Sequence, residues 1–263
     1  MEDKKEQTWQ EKEKEAREKI EADRKIDIVI TSYNRRQFTE TCIREIYNRT
    51  TTPHRVIVVD NGSTDDSVSY LQALKHTGHI DVLILLDRNL GLERAKNIGL
   101  SVVNSTWYVD TDNDIIVESP RDGTDWLAKL VDLIARNTEF GGIACRPQVM
   151  VGEPGNAFDK VDEVREGNAG AHARIMHTDT IRDVGGWNNH FTNRSEEKEI
   201  RGRLGKVQLK TGYAKNIRCI HLFGENWGYK GVEHFHRDIW PPVQSYEWNN
   251  VKINWETCRK EDE

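Results

Sequence analysis

The chain has 263 residues, 36% hydrophobic and 31% charged, with mean hydropathy −0.76, net charge −6 and a sequence pI near 5.9. That length supports one large domain or two small ones with a sizeable core. The acidic balance excludes a globally basic protein that binds nucleic acid or anionic membrane through its overall field.

No apolar run reaches the length of a membrane span, and the charged N-terminus has no signal-peptide core. The expectation is a cytoplasmic protein with no integral membrane segment. Four scattered cysteines, Cys42, Cys145, Cys219 and Cys258, form no C-x-x-C pair. They read as free thiols in a reducing compartment rather than a zinc site or a disulfide framework.

Residues 1–25 are mostly Glu, Lys, Arg and Asp, with Trp9, Ala16 and Ile20 as apolar relief. They predict a solvated helix or solubilising leader, the alternative being a contact arm in a homo-oligomer. The globular pattern begins at Ile26. Residues 26–30 read as a strand, Thr31-Ser32-Tyr33-Asn34 as a polar turn, and 37–49 as a helix. A second strand over 55–60 ends in the capping turn Asn61-Gly62-Ser63-Thr64-Asp65, and a helix follows to about Lys75. A third strand spans 80–86, and residues 92–103 read as a helix.

Next comes Trp107-Tyr108-Val109-Asp110-Thr111-Asp112-Asn113-Asp114-Ile115-Ile116-Val117. Acids at every second position share a face if the chain stays extended, so Asp110, Asp112 and Asp114 are expected to converge. Three such carboxylates repel one another and are costly to desolvate. A hard divalent cation, Mn²⁺ or Mg²⁺, relieves both problems; a solvated acidic turn is the alternative. A calcium loop counted from Asp110 is excluded, because its sixth and twelfth positions hold Ile115 and Arg121 where Gly and Glu are needed.

Strands alternating with helices predict an α/β protein with a mostly parallel central sheet flanked by helices. Ligands of such sheets bind beyond the carboxyl ends of the strands. Thr31–Tyr33, Asp60–Asn61 and Asp110–Asp112 all fall at those ends. Past Val117 the pattern loosens: an amphipathic helix over 124–136, a strand over 141–151, a polar loop over 152–167, and a strand over 169–176. Gly185-Gly186-Trp187, a capped helix from Ser195, and a strand over 219–223 complete it. Three units are expected: the extension 1–25, a catalytic domain over 26–224, and an aromatic-rich segment over 225–263 read as a lid.

Six stretches together resemble the family 2 glycosyltransferases, which have the GT-A fold. They are Ile28-Val29-Ile30-Thr31-Ser32-Tyr33-Asn34-Arg35, Val58-Val59-Asp60-Asn61-Gly62-Ser63-Thr64-Asp65, residues 89–99, Asp110-Thr111-Asp112, Gly185-Gly186-Trp187 and residues 196–204. The resemblance spans roughly residues 26–221. It implies a metal-dependent, inverting hexosyl- or pentosyltransferase that moves a sugar from a nucleotide-sugar, most often a UDP-sugar, to an acceptor hydroxyl. Thr31, Tyr33 and Asp60 would hold base and ribose, Lys96 would lie near the diphosphate, and Asp110 near ribose and metal. Asp112 would ligate Mn²⁺ or Mg²⁺, with His221 as a further ligand.

Glu197 stands where the family has its catalytic base, with Glu196 and Glu199 as neighbours that compete for the role. Trp187 is expected either to stack against a sugar or to pack in the core. The acceptor is a glycan, a protein or a small molecule. The basic run Arg201, Arg203, Lys206, Lys210, Lys215 and Arg218 adds hydroxymethylated DNA as a nucleic-acid alternative. Rival functions are a sugar-1-phosphate nucleotidyltransferase, disfavoured because Thr31–Arg36 contains no glycine, and a silent nucleotide- or protein-binding module.

Overall fold

The computed structural model describes residues 26–120, 122–147, 163–189 and 196–222, together with the backbone of 245–248, 251–254 and 259–260. The charged extension, most of the proposed lid and the Ser195 cap lie outside the described residues.

Strand β1 (Ile26–Ser32) is buried along its whole length, as a strand flanked on both faces must be. It pairs in parallel with β2 (His54–Asp60) on one side and β4 (Trp107–Asp112) on the other. Asp27 is a charge inside this apolar ladder. The register places Arg55 beside it, and two hydrogen bonds of 2.7 Å join the guanidinium to both carboxylate oxygens. Helix α1 (Arg36–Arg49) links β1 to β2. Helix α2 (Ser67–His76) then leads to β3 (Val82–Leu85), which extends the parallel sheet beyond β2.

Helix α3 (Leu92–Ser101) is buried over all of residues 94–101, so it lies between the sheet and further structure. Gly99 permits this. A Cβ there would lie 2.4 Å from Val29 Cγ1 and 3.3 Å from Val59 Cγ2, so the helix backbone rests directly on β1 and β2.

Beyond β4 the sheet becomes mixed. Its order is β3-β2-β1-β4-β8-β6-β9-β5, with β7 paired to β9. The later elements are β5 (Ile115–Val117), α4 (Trp126–Arg136), β6 (Phe140–Pro147), β7 (Val164–Glu166), β8 (Arg174–His177), α5 (Thr178–Asp183), α6 (Glu196–Lys206) and β9 (Lys210–His221). Strand β8 runs antiparallel to both β4 and β6, whereas β6 and β9 run parallel. Helix α4 starts where Asp125 caps the backbone N–H groups of Leu127 and Ala128.

Several sequence expectations shift here. The expected loop over 152–167 contains β7, the expected strand over 169–176 becomes regular only at Arg174, and β9 is far longer than the 219–223 foreseen. The short helix α5 was not foreseen at all. A separate antiparallel sheet is formed by β10 (Ser245–Trp248), β11 (Val251–Asn254) and β12 (Arg259–Lys260).

Candidate active site

The register of the three central strands sets their carboxyl ends level. Ser32 lies beside Asp60, and Thr31 lies beside Asp112. The polar clusters expected at one sheet edge are therefore neighbours. The tips are also tied together. Ser63 donates to Asp60 through its backbone N–H at 2.8 Å and its hydroxyl at 2.5 Å, and the same hydroxyl accepts from Asn34 N–H at 2.7 Å. Asn61 reaches across to Asn89, Leu90 and Gly91 ahead of α3. Asn34 and Arg35 both have positive φ, so the chain leaves β1 through a sharp left-handed turn.

The three acids do not form one cluster. Strand β4 ends at Asp112, and residues 113–114 form a turn, so the alternation that would align all three stops before Asp114. Asp110 is buried and accepts from Lys96 Nζ at 3.1 Å and Arg174 Nη2 at 2.7 Å. Asp114 instead pairs with Arg35 Nη1 at 3.2 Å and with His221 Nε2 at 3.4 Å. Asp112 lies between them with its side chain one-third exposed, 3.9 Å from Lys96 Nζ. Its Oδ1 has no hydrogen-bond partner among the described residues. Desolvation, opposed by Lys96 and reinforced by Asp114 and Asp110, lifts the Asp112 carboxyl to about 7.

Lys96 is fully buried. Besides Asp110 it lies 3.6 Å from Glu196 Oε1, so it joins the acids of β4 to the start of α6. Desolvation would raise Glu196, but the Lys96 and Arg174 charges outweigh it and hold the carboxyl below its ordinary range. Glu197, next along α6, is pushed the other way, by desolvation and by the Glu196 charge with which it shares a hydrogen bond. Two adjacent carboxyls with opposed shifts are suited to different protonation states. Glu93, in the first turn of α3, is lifted to about 7 chiefly by desolvation.

Trp187, expected as a stacking floor or a core residue, is 1% exposed. Lys96 Nζ lies 4.8 Å and Arg174 Cζ 4.5 Å from its ring centroid, so cations occupy the ring. Asn97 fixes its backbone, accepting from Trp187 N–H at 2.8 Å and donating to Trp187 O at 2.7 Å. Thr31 Oγ1 is buried without a hydrogen-bond partner among the described residues, and Tyr33 is half-buried nearby. Asp60 is wholly buried, and desolvation raises its pKa against the Ser63 hydrogen bonds. His221 faces Asp114 and meets the His172 ring edge-on, with centroids 5.4 Å apart. Burial opposes its charge, but Asp114 outweighs burial and raises its pKa.

The sequence missed Arg174. It is the single cation in the run Ala173-Arg174-Ile175-Met176, and that isolation was its only signal. The basic run is largely spent on neighbours: Arg201 and Lys210 pair with Glu166, Arg203 with Glu199, and Arg218 with Glu118.

The family model described as glycosyl transferase family 2 matches residues 27–202. The chain belongs to glycosyl transferase family 2. Among curated members, an uncharacterized glycosyltransferase of Haemophilus influenzae is 25% identical over 48% of this chain and 38% of its own length. An undecaprenyl-phosphate 4-deoxy-4-formamido-L-arabinose transferase of Enterobacter sp. is 33% identical over 37% of this chain and 31% of its own. The chain thus spans well under two thirds of these relatives.

Among solved structures, the mannosyltransferase PcManGT from Pyrobaculum calidifontis, in complex with GDP-Man and Mn²⁺, superposes with a TM-score of 0.62 at 18% identity. It covers 76% of this chain and 57% of that one. S. aureus TarS 1–349 gives 0.57 at 13% identity, over 74% and 60%. The family 2 chain has the GT-A fold, and no helix among its described residues is long and apolar enough to cross a membrane.

Do the residues of this family member fit a divalent ion? Among the described residues, no three His, Cys, Asp or Glu side chains are grouped so as to hold one by themselves. Asp112 Oδ1, which has no hydrogen bond among the described residues, is a hard oxygen donor, however. Ions such as Mg²⁺ are commonly held by one or two carboxylates plus substrate phosphates. The residues fit that shared mode and not a closed protein cage.

Proposed function

We propose that this chain transfers a sugar from a nucleoside-diphosphate sugar to an acceptor hydroxyl by a single, inverting displacement that depends on a divalent metal. The observation that carries the reading is Asp112. It presents a carboxylate oxygen that has no hydrogen bond among the described residues, 3.9 Å from Lys96 Nζ, at the carboxyl end of β4, level with the β1 and β2 tips that offer Thr31, Tyr33 and Asp60 to a nucleoside. Mn²⁺ or Mg²⁺ held by Asp112 would offset the negative charge that develops on the departing diphosphate. His221 would join as a ligand either through the ring nitrogen that does not face Asp114 or by exchanging its Asp114 contact for the metal.

Glu197 is the proposed base. It takes the acceptor proton as that oxygen bonds to the anomeric carbon, while the bond from that carbon to the diphosphate oxygen breaks and its electron pair leaves with the nucleotide. A raised pKa suits this task, because the base must hold the proton it removes. Lys96 and Asp110 organise the floor beneath the donor. Pairing of the basic run favours a neutral acceptor hydroxyl over a polyanion.

The test is calorimetric titration with UDP and with GDP, each in Mn²⁺, beside a turnover assay on a panel of UDP- and GDP-sugars. Asp112→Ala is expected to abolish turnover and to weaken nucleotide binding. Glu197→Gln is expected to abolish turnover with binding preserved. Undiminished affinity in Asp112→Ala would refute the metal role.

A further inference from the structure

Arg174 is a fully buried cation to which the proposed chemistry gives no part. The antiparallel register of β4 and β8 sets it opposite Asp110. One guanidinium nitrogen bonds Asp110 Oδ2 at 2.7 Å, and another donates to the Ala169 carbonyl. The face of the group lies on the Trp187 ring. A carboxylate, a carbonyl and an indole therefore fix it in place.

Neutralising Asp110 does not require this residue, because Lys96 Nζ already lies 3.1 Å from the same oxygen. What two cations achieve together is different. Three carboxylates lie within 4 Å of Lys96, those of Asp110, Asp112 and Glu196. Without the guanidinium, one ammonium would have to serve all three and would be drawn to whichever acid held it best.

We propose that Arg174 is a positioning residue for sugar transfer: as a second cation anchoring Asp110 from β8, it keeps Lys96, which also bonds Asp110 at 3.1 Å, within reach of Asp112 and Glu196 and so fixes the spacing of the donor-side and acceptor-side acids. The inference rests on the reading of this cleft as the transfer site. Asn97, which holds the Trp187 backbone, completes the frame against which the guanidinium is set.

The experiment compares wild type, Arg174→Met and Arg174→Lys. Titration with UDP or GDP in Mn²⁺ gives affinity and the number of competent sites per chain. Release of nucleotide from the donor panel, with water as acceptor, gives turnover. Both variants are expected to bind with site numbers and affinities near wild type. Turnover should fall about 100-fold in Arg174→Met and about 10-fold in Arg174→Lys, which keeps the charge without the fork.

A turnover loss that only tracks the number of competent sites makes Arg174 a stability element and overturns the proposal. So does unchanged turnover, or failure of both variants to fold. If wild type binds neither nucleotide and releases none from any donor, the glycosyl-transfer reading of the cleft fails first. That outcome is separate from wild-type turnover that Arg174 does not influence.

Discussion

Thr31 gives the proposed nucleoside site a test at the scale of a single side chain. A buried hydroxyl without a partner costs free energy, yet Thr31 Oγ1 is left in that state beside Asp112. Thr31→Val removes the hydroxyl at nearly constant shape and breaks no internal hydrogen bond among the described residues. Its thermal midpoint should therefore equal or exceed that of wild type, while UDP or GDP affinity in Mn²⁺ falls by about 0.5–1.5 kcal/mol. Unchanged affinity would mean that the nucleoside does not reach Thr31. The sequence made Thr31, Asp60 and Asp112 legible because each lies at the end of an apolar run, where the strand itself marks the position. Arg174 was not legible, because its role arises from an antiparallel pairing with a residue 64 positions away, and local pattern carries no such register.

At the scale of elements, the parallel half was readable for a related reason. β1, β2 and β4 are buried on both faces, so their sequences are near-continuous apolar runs. Strand β9 escaped because Lys210, Lys215, Asn216 and Arg218 interrupt it. Several of its residues remain partly exposed, which breaks the run that a buried strand would show. Helix α3 was foreseen, but its depth was not. That depth depends on Gly99 lying against Val29 and Val59. Gly99→Ala would push the helix off the sheet, since β-branched valines in a parallel ladder have little freedom to yield. The expected cost is about 1–3 kcal/mol in urea unfolding. Because Lys96 sits one turn earlier on the same helix, nucleotide affinity should weaken as well. Full stability in this variant would show that α3 is free to shift outward.

Across the whole molecule, the parallel and mixed halves of the sheet meet at β4 and β8, where Asp110 and Arg174 are paired. Three buried thiols sample both halves. Cys42 of α1 donates to the Asp112 carbonyl, while Cys145 of β6 and Cys219 of β9 lie in the far half, the Cys219 thiol facing the Cys145 carbonyl. Burial pushes Cys42 up to about 12 and raises the other two well above the ordinary range. Below the unfolded value, about 8.5, folded and unfolded thiols are both protonated, and stability does not depend on them. As pH rises past that value the unfolded chain releases protons that the folded chain retains. Unfolding then gains about 1.4 kcal/mol per pH unit for each protected thiol, until the folded pKa is reached. Urea unfolding in reductant at pH 7.5 and pH 10 should reveal this. Cys145→Ala leaves a small cavity at both pH values, so its absolute stability is lower throughout. Its loss between the two should nevertheless be smaller than the wild-type loss by about 2 kcal/mol. Equal losses in the two proteins would mean that water reaches Cys145 in the folded state, and that the mixed half of the sheet is less tightly closed than the parallel half it holds against Asp110.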